Sequence, residues 1–494
     1  MDRRVGSSTS VPVGIIIIAV ALHYFILFSQ ANMVFELHHK LKNTTMSSAE
    51  IMDARVDYEM KRRGRSLSSI DLSIGAQLYS GFAVYFAKIV IGDPPRAFYP
   101  QLSQSLGLLW FFCQGCKRCP STSSFKFEIN KYDVNSSSTG NILGCDDEMC
   151  GVTDNDKKKK TCSGNNCKYK IDYGAVSSGN MIKDAFKFDT IVGNKKTNPV
   201  SMDVVFGCGM DQYNGLEGSD WAFDGTLGLG ISNLTILSQL VASKHVKKNN
   251  WAHCFKSGSK GGSLAFGEIE NQKEMKMTPL ISKAKNPEIY EITMVKFTIG
   301  GKEVPLDKNE MTGTMVDISS VYNYFPSSVY KFVLAEIYSI FKDLKFSKPD
   351  PFSCFLYSGR IEHDFPSITY TFDGGADMTI HPKQYIFERS PDQWCIAIFN
   401  STAFPPIVNY FVVTESTAEE RLMVYDLENM KMGWSDYDCD KGIKVIDDET
   451  GNAFLVSSRS VEHEDSSAEI NVGGGAFTLI PILCFLLTYL ALSR

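Results

Sequence analysis

The 494-residue sequence predicts an all-β protein built as two similar lobes, and three observations carry that expectation. From about Leu78 onward, short alternating apolar runs are cut every few residues by Gly, Pro, Asn and Asp, the rhythm of strands and turns. A set of segments then recurs. Ala87–Gly92 (AKIVIG), Leu102–Trp110 (LSQSLGLLW) and Asp224–Gly230 (DGTLGLG) are answered by Val295–Gly301 (VKFTIGG), Thr314–Pro326 (TMVDISSVYNYFP) and Phe411–Glu415 (FVVTE). Finally, helical spacing is confined to Ile236–Ser243 and to Ser327–Phe341, where Tyr330, Leu334, Ile337 and Phe341 recur. Each half thus offers a strand ending in Ile-Gly, an apolar strand entering a loop, and a distal apolar strand. Two such lobes face to face would bring their loops together at a cleft.

Taken in order, residues 1–31 read as a signal peptide: Arg3 and Arg4, the apolar run Val11–Phe28, then the small residues around Ser29-Gln30-Ala31. A signal-anchor helix is the alternative for so long a run. Residues 32–77 are polar, rich in Met and basic in places, without cysteines or strand periodicity, and read as a prosegment or linker. The first lobe is expected over 78–285, with strands at Val84–Ile91, Lys168–Tyr173, Val204–Gly207 and Leu264–Gly267. The second is expected over 286–446, with strands at Glu291–Ile299, Ser367–Phe372 and Leu422–Leu427. Residues 447–475 make a flexible stalk. Residues 476–494 close on a hydrophobic tail preceded by Ser466-Ser467-Ala468 and a polar, Gly-rich spacer, the order of a GPI-attachment signal. A transmembrane helix would need about 20 apolar residues and usually a basic stop. The expected address is the secretory pathway and the extracellular face of the plasma membrane, with the membrane met through a lipid anchor.

Charge and cysteine usage agree. A net charge of -6 leaves no basic surplus to neutralise phosphates, so nucleic acid is not an expected partner. The run Lys157–Lys160 lies among polar residues and reads as a solvated loop. Of 13 cysteines, Cys484 sits in the tail, and the remaining even number in a secreted chain implies disulfides. Cys113, Cys116 and Cys119 could suggest zinc, but no His follows at finger spacing, so neither a metal nor a cofactor is expected. Asn43, Asn135, Asn233 and Asn400 each begin an Asn-X-Ser/Thr glycan acceptor.

The chemistry centres on Asp317. An acid at the end of a buried strand is costly unless neighbours hydrogen-bond it, and the bland reading is a strand-end carboxylate accepting backbone N–H groups. The earlier copy of the same layout lacks an acid. There, Ser103 has no base identifiable beside it, and a serine-hydrolase reading finds no support.

From roughly Leu78 to Ile446 the chain resembles the pepsin-like aspartic peptidases, in particular their plant membrane-anchored branch. The resemblance rests on Tyr85–Pro95 (YFAKIVIGDPP), Leu108-Leu109-Trp110, the Cys113/Cys116/Cys119 cluster, Cys167–Gly174 (CKYKIDYG), Phe206-Gly207-Cys208-Gly209, Asp224–Gly230, Trp394-Cys395 and Val424–Gly433 (VYDLENMKMG). It implies a bilobal pepsin-like fold with two pseudo-symmetric β lobes, and Tyr173 at the flap-tyrosine position. Catalysis in such proteins needs two carboxylates sharing one proton, each in an Asp-Thr/Ser-Gly triplet. Here the first triplet falls on Ser103-Gln104-Ser105, without acid or glycine, and the second on Asp317-Ile318-Ser319, which keeps only the acid. Thr226-Leu227-Gly228 retains a supporting glycine, whereas Thr414 takes its place in the second half. The flap's Gly-Asp-Gly-Ser has become Gly174-Ala175-Val176-Ser177. The resemblance further implies the disulfides Cys113–Cys116, Cys119–Cys208, Cys145–Cys167, Cys150–Cys162, Cys254–Cys439 and Cys354–Cys395. The expectation is a monomeric pseudopeptidase that binds a peptide or protein ligand in its cleft; the alternative is an active aspartic endopeptidase.

Overall fold

The computed structural model describes residues 33–39 and 85–456, apart from 123–127, 155–156, 160, 174, 193–195, 214–215, 219–222, 257–260, 271–274, 284–285, 308, 321, 342–343, 348–351, 405–406 and 447–450. The signal and tail expectations and the acceptor Asn43 therefore lie outside the described residues, whereas within the expected flexible stalk Ala453–Val456 is a strand paired antiparallel with Ile443–Ile446.

Strands dominate, and two helices form where apolar spacing placed them. Ile236–Ala242 is capped by Thr235, whose hydroxyl accepts from the Ser238 amide. In Ser327–Ile340 the fully buried stripe is Val329, Val333 and Ile337. Tyr330 and Leu334, which the sequence placed on that stripe, are only partly buried against the same core. Branched, compact residues take the tightest line of contact, and the larger ones flank it.

The two halves repeat one topology. In the first, strand Gln101–Ser103 runs parallel to Gly225–Gly228, which pairs antiparallel with Trp110–Phe112, itself parallel to Lys196–Tyr213. In the second, Gly313–Asp317 runs parallel to Tyr410–Thr414, which pairs antiparallel with Asn323–Phe325, itself parallel to Ile398–Asn400. The register fixes the equivalences. Ser103 lies opposite Gly228, and Asp317 lies opposite Thr414. Trp110 faces Thr226 as Tyr324 faces Val412.

The halves share one sheet. Asn250–Phe255 pairs with Arg421–Asp426, and Met277–Pro279 pairs with Lys431–Asp436. The Cys254–Cys439 disulfide, spanning 185 residues, fastens the same junction. A strand at Met33–His39 joins this sheet too, pairing with Gly262–Phe266 and Tyr85–Ala87. The expected prosegment or linker thus contributes structure to the first lobe. Its sequence (MVFELHH) is a short apolar run broken by Glu36, too brief to stand out from its polar surroundings.

Four of the six expected disulfide pairings are corrected. Cys113 pairs with Cys208, Cys116 with Cys119, Cys145 with Cys162, and Cys150 with Cys167, whereas Cys254–Cys439 and Cys354–Cys395 stand as expected. For Cys113 and Cys208 the physical reason is strand adjacency. The Cys113 amide donates to Gly209, one residue past Cys208, which brings those two sulfurs together and leaves Cys116 to close a local loop with Cys119. In the other group, Cys162 and Cys167 are cross-strand mates, and the sulfurs of Cys145, Cys150 and Cys162 lie within 4.8 Å of one another. When thiols cluster so tightly, sequence spacing cannot select the partners.

Candidate functional site

Each lobe delivers its loop from the end of a buried strand. Ser103 is buried at the end of Gln101–Ser103, and its carbonyl accepts from the Leu229 amide at 2.8 Å. Gly228 is required beside it: a β-carbon there would lie 2.5 Å from the carbonyl oxygens of Leu106 and Leu108. The distal strand can therefore approach the loop backbone to contact distance.

Asp317 is 1% exposed, and its neighbours hold its carboxylate. Oδ1 accepts from the Ser319 hydroxyl at 2.6 Å and from the Ser319 amide at 3.2 Å, and Oδ2 accepts from the Ser320 hydroxyl at 3.1 Å. Ser319 stands at the place of the triplet glycine. It supplies a hydroxyl that caps the acid, which is the strand-end role the residue type alone suggested.

The two loops touch through a residue that motif reading passed over. Gln104 is fully buried, and its Oε1 accepts from the Ile318 amide at 3.0 Å across 214 positions of sequence. Ser103 and Asp317 immediately precede these two residues, so the bridge brings the two triplets side by side at the junction of the lobes. Gln104 was legible as the middle residue of Ser103-Gln104-Ser105, the place of a triplet hydroxyl. A longer side chain there keeps a polar group pointing across the junction.

A second buried acid lies close by. Glu415 is 1% exposed, and its amide donates to the Ser320 carbonyl at 2.8 Å. It opens a short helix, Glu415–Ala418, that follows the distal strand directly. Asp224 and Asp184 are buried as well but serve local frames. Asp224 accepts from the Tyr99 and Asn130 amides, and Asp184 accepts from the hydroxyls of Tyr132, Ser137 and Thr139.

Tyr173 ends strand Asn166–Tyr173 and pairs with Ala175 at the tip of a hairpin; its side chain lies outside the described residues. At the base of that hairpin Tyr169 is buried and bonds the Ser177 hydroxyl at 2.8 Å. Asn135 and Asn233 are exposed. Asn400 is half-buried, with Oδ1 accepting from the Thr402 amide and Nδ2 donating to Ser327. Cys113, Cys116 and Cys119 are all engaged in disulfides. Among the described residues, no helix is long and apolar enough to cross a membrane.

Comparison with known proteins gives a consistent picture. The xylanase inhibitor N-terminal family model matches residues 85–268, and the xylanase inhibitor C-terminal model matches 289–436. Aspartic proteinase 39 of Arabidopsis thaliana is 29% identical over 441 residues, covering 88% of this chain and 90% of its own. Aspartic proteinase 36 of the same plant is 29% identical over 477 residues, covering 94% and 96%. Among solved structures, conglutin gamma, a basic 7S globulin from lupine seeds, superposes with a TM-score of 0.59 at 17% identity, covering 83% of this chain and 96% of its own. Basic 7S globulin from soybean gives 0.56 at 18% identity, covering 71% and 92%.

Proposed function

Since the chain belongs to the plant pepsin-like family described by the xylanase inhibitor N- and C-terminal models, we propose that it is a pseudopeptidase, holding an extended peptide or a protein partner in its cleft with hydrolysis absent or vestigial. One observation carries the reading. At the register position that Asp317 occupies in the second lobe, the first lobe has Ser103. A hydroxyl is no general base near neutral pH and cannot share a proton as a carboxyl does. Loss of general acid–base assistance alone is worth about 10²–10⁴ in rate.

A second reading, an active aspartic endopeptidase, is favoured by Glu415, a buried acid on the segment packed against the Asp317 loop. One experiment separates the two. Purified protein is incubated with a denatured substrate protein from mildly to strongly acid pH, with and without a transition-state-mimicking inhibitor. The pseudopeptidase reading expects no inhibitor-sensitive cleavage, together with retained binding of the inhibitor. Cleavage that disappears in Asp317→Asn and in Glu415→Gln would establish the peptidase instead. A cell-surface address through a GPI anchor is part of the proposal. Release of the protein from membranes by a phosphatidylinositol-specific phospholipase tests it.

A further inference from the structure

We propose that Cys145, Cys150, Cys162 and Cys167 form a thiol-triggered switch, in which a small-molecule thiol trades the bridges Cys145–Cys162 and Cys150–Cys167 for Cys145–Cys150 and Cys162–Cys167. The present bridges tie the loop at 145–150 to the paired strands Thr161–Ser163 and Asn166–Tyr173. The exchanged bridges would lie within the loop and within the strand pair, and the covalent tie between them would be gone. The proposal rests on the sulfur cluster and stands apart from the cleft reading above.

Exchange needs a thiolate within reach of a second disulfide. The sulfurs of Cys145, Cys150 and Cys162 lie within 4.8 Å of one another, so either half of the first bridge, once freed, has a sulfur of the second beside it. Cys162 is exposed and Cys145 half-buried, whereas Cys150 and Cys167 are 0% exposed. An outside thiol therefore meets the first bridge, and reaches the second only through the protein's own sulfur. The last pair of partners is also in place. Cys162 and Cys167 face each other across antiparallel strands, and the Cys167 amide donates to Leu143, away from Cys162. Such a non-hydrogen-bonded pair sits about 4.5 Å apart at Cα, within the span a disulfide accepts.

Each step is a thiolate substitution at sulfur. The outside thiolate attacks Sγ of Cys162; the Cys145–Cys162 bond breaks and its electron pair leaves on Cys145. The Cys145 thiolate attacks Sγ of Cys150, closing Cys145–Cys150 and releasing Cys167 as thiolate. Cys167 then attacks Sγ of Cys162 in the mixed disulfide, closing Cys162–Cys167 and returning the outside thiolate. Two disulfides enter and two leave, so the thiol acts as a catalyst and no oxidant or reductant is consumed. Both present bridges span 17 residues and both new ones are local, so the product restrains the chain less. Backbone hydrogen bonds, such as the Cys145 amide to the Asn165 carbonyl and the Cys167 amide to Leu143, would be left to hold the loop in place.

The test incubates the full chain, its disulfides intact, with a substoichiometric amount of reduced glutathione at about pH 8, where thiols begin to ionise. Samples are quenched with N-ethylmaleimide, digested with trypsin and read by mass spectrometry without reduction. Trypsin cuts within Lys157–Lys160 and after Lys168, so Cys145 and Cys150 fall in one peptide and Cys162 and Cys167 in another. The present bridges keep those peptides joined. The expected result is their conversion into two separate peptides, each closed by its own disulfide and free of maleimide. Peptides that stay joined would overturn the proposal, whether unmodified or carrying maleimide on Cys145 and Cys162 after simple reduction. Hydrogen exchange reads the consequence: amides of Asn166–Tyr173 should exchange about tenfold faster in the switched protein, with Asn250–Phe255 unchanged. Equal exchange in Asn166–Tyr173 before and after would overturn the switch. The variant Cys145→Ala with Cys150→Ala leaves Cys162 and Cys167 to pair, and should show the faster exchange without any thiol. If that variant fails to fold, the thiol-treated wild type still decides the outcome.

Discussion

The two loops hang from the same topology and keep opposite halves of what that topology needs. In the first lobe the distal strand retains Gly228, and the amide that follows it donates to the carbonyl of Ser103 itself. In the second, Thr414 stands opposite Asp317, and the amide that follows it donates to Ser320, three residues further along. The Asp317 carbonyl instead accepts from the Ser320 amide at 3.0 Å. The Thr414 hydroxyl lies 3.0 Å from that of Ser416, and the Thr414 amide donates to the Thr417 hydroxyl. The lobe without the acid has the glycine, and the lobe with the acid has Thr414 in that place. Under the pseudopeptidase proposal, the acid missing from one lobe and the glycine missing from the other both count against hydrolysis.

The largest expected effect comes from exchanging those features. Gly228→Ala is expected to destabilise by about 3–5 kcal/mol, because its methyl would meet loop backbone and not a side chain that can turn away. Thr414→Ala at the equivalent place should cost about 1 kcal/mol. Urea unfolding midpoints of the two variants read the difference directly. Equal costs would show that the loops are packed alike and the comparison is wrong.

Next in size is a pH effect from the shared sheet. His253 is buried in strand Asn250–Phe255, stacked on Phe255, with Nε2 3.2 Å from the Tyr425 hydroxyl. Burial drives its pKa down to about 3, below its ordinary 6.5. The unfolded chain therefore binds the extra proton first. Stability from this group is complete above about pH 6.5 and falls as pH drops toward 3, by roughly 1.4 kcal/mol per unit. Between pH 6.5 and 4 the wild type should lose about 3 kcal/mol that His253→Phe does not lose. A parallel pH slope in the variant would place acid sensitivity elsewhere.

How much of this was legible in the sequence divides along the same line. The lobe repeat, both helices and the strands at Lys168–Tyr173 and Leu422–Leu427 followed from periodicity, which reports local geometry and burial. The equivalence of Ser103 with Asp317, and of Gly228 with Thr414, was implied by the family resemblance, and the register agrees residue by residue. What escaped were facts set by contacts distant in sequence. Gln104 meets Ile318 across the junction, Ser319 caps Asp317, and the clustered cysteines have partners that spacing does not report. Met33–His39 escaped because its pairing partners lie some 50 and 230 residues away.

The third test weighs the two strand-end residues against each other. Asp317→Ala strands the Ser319 and Ser320 donors and should cost about 2–3 kcal/mol, whereas Ser103→Ala should stay within about 1 kcal/mol. A small cost at Asp317 would mean that its serine bonds are replaceable, and would weaken the case that the acid persists partly as a structural cap.

The smallest expected effect is the most specific to the junction. Gln104→Leu keeps the side-chain volume but leaves the buried Ile318 amide without its acceptor, a loss of about 1–2 kcal/mol. Global unfolding alone cannot place that loss, because any buried substitution lowers stability. Amide hydrogen exchange can. If the bridge couples the loops, protection at Ile318 should fall by about tenfold or more, while protection in Asn250–Phe255 and Arg421–Asp426 changes only by the global amount. If instead the shared sheet alone sets the lobe junction, Ile318 will exchange no faster than the sheet. The two loops would then be neighbours by scaffold, and Gln104 would carry no part of their contact.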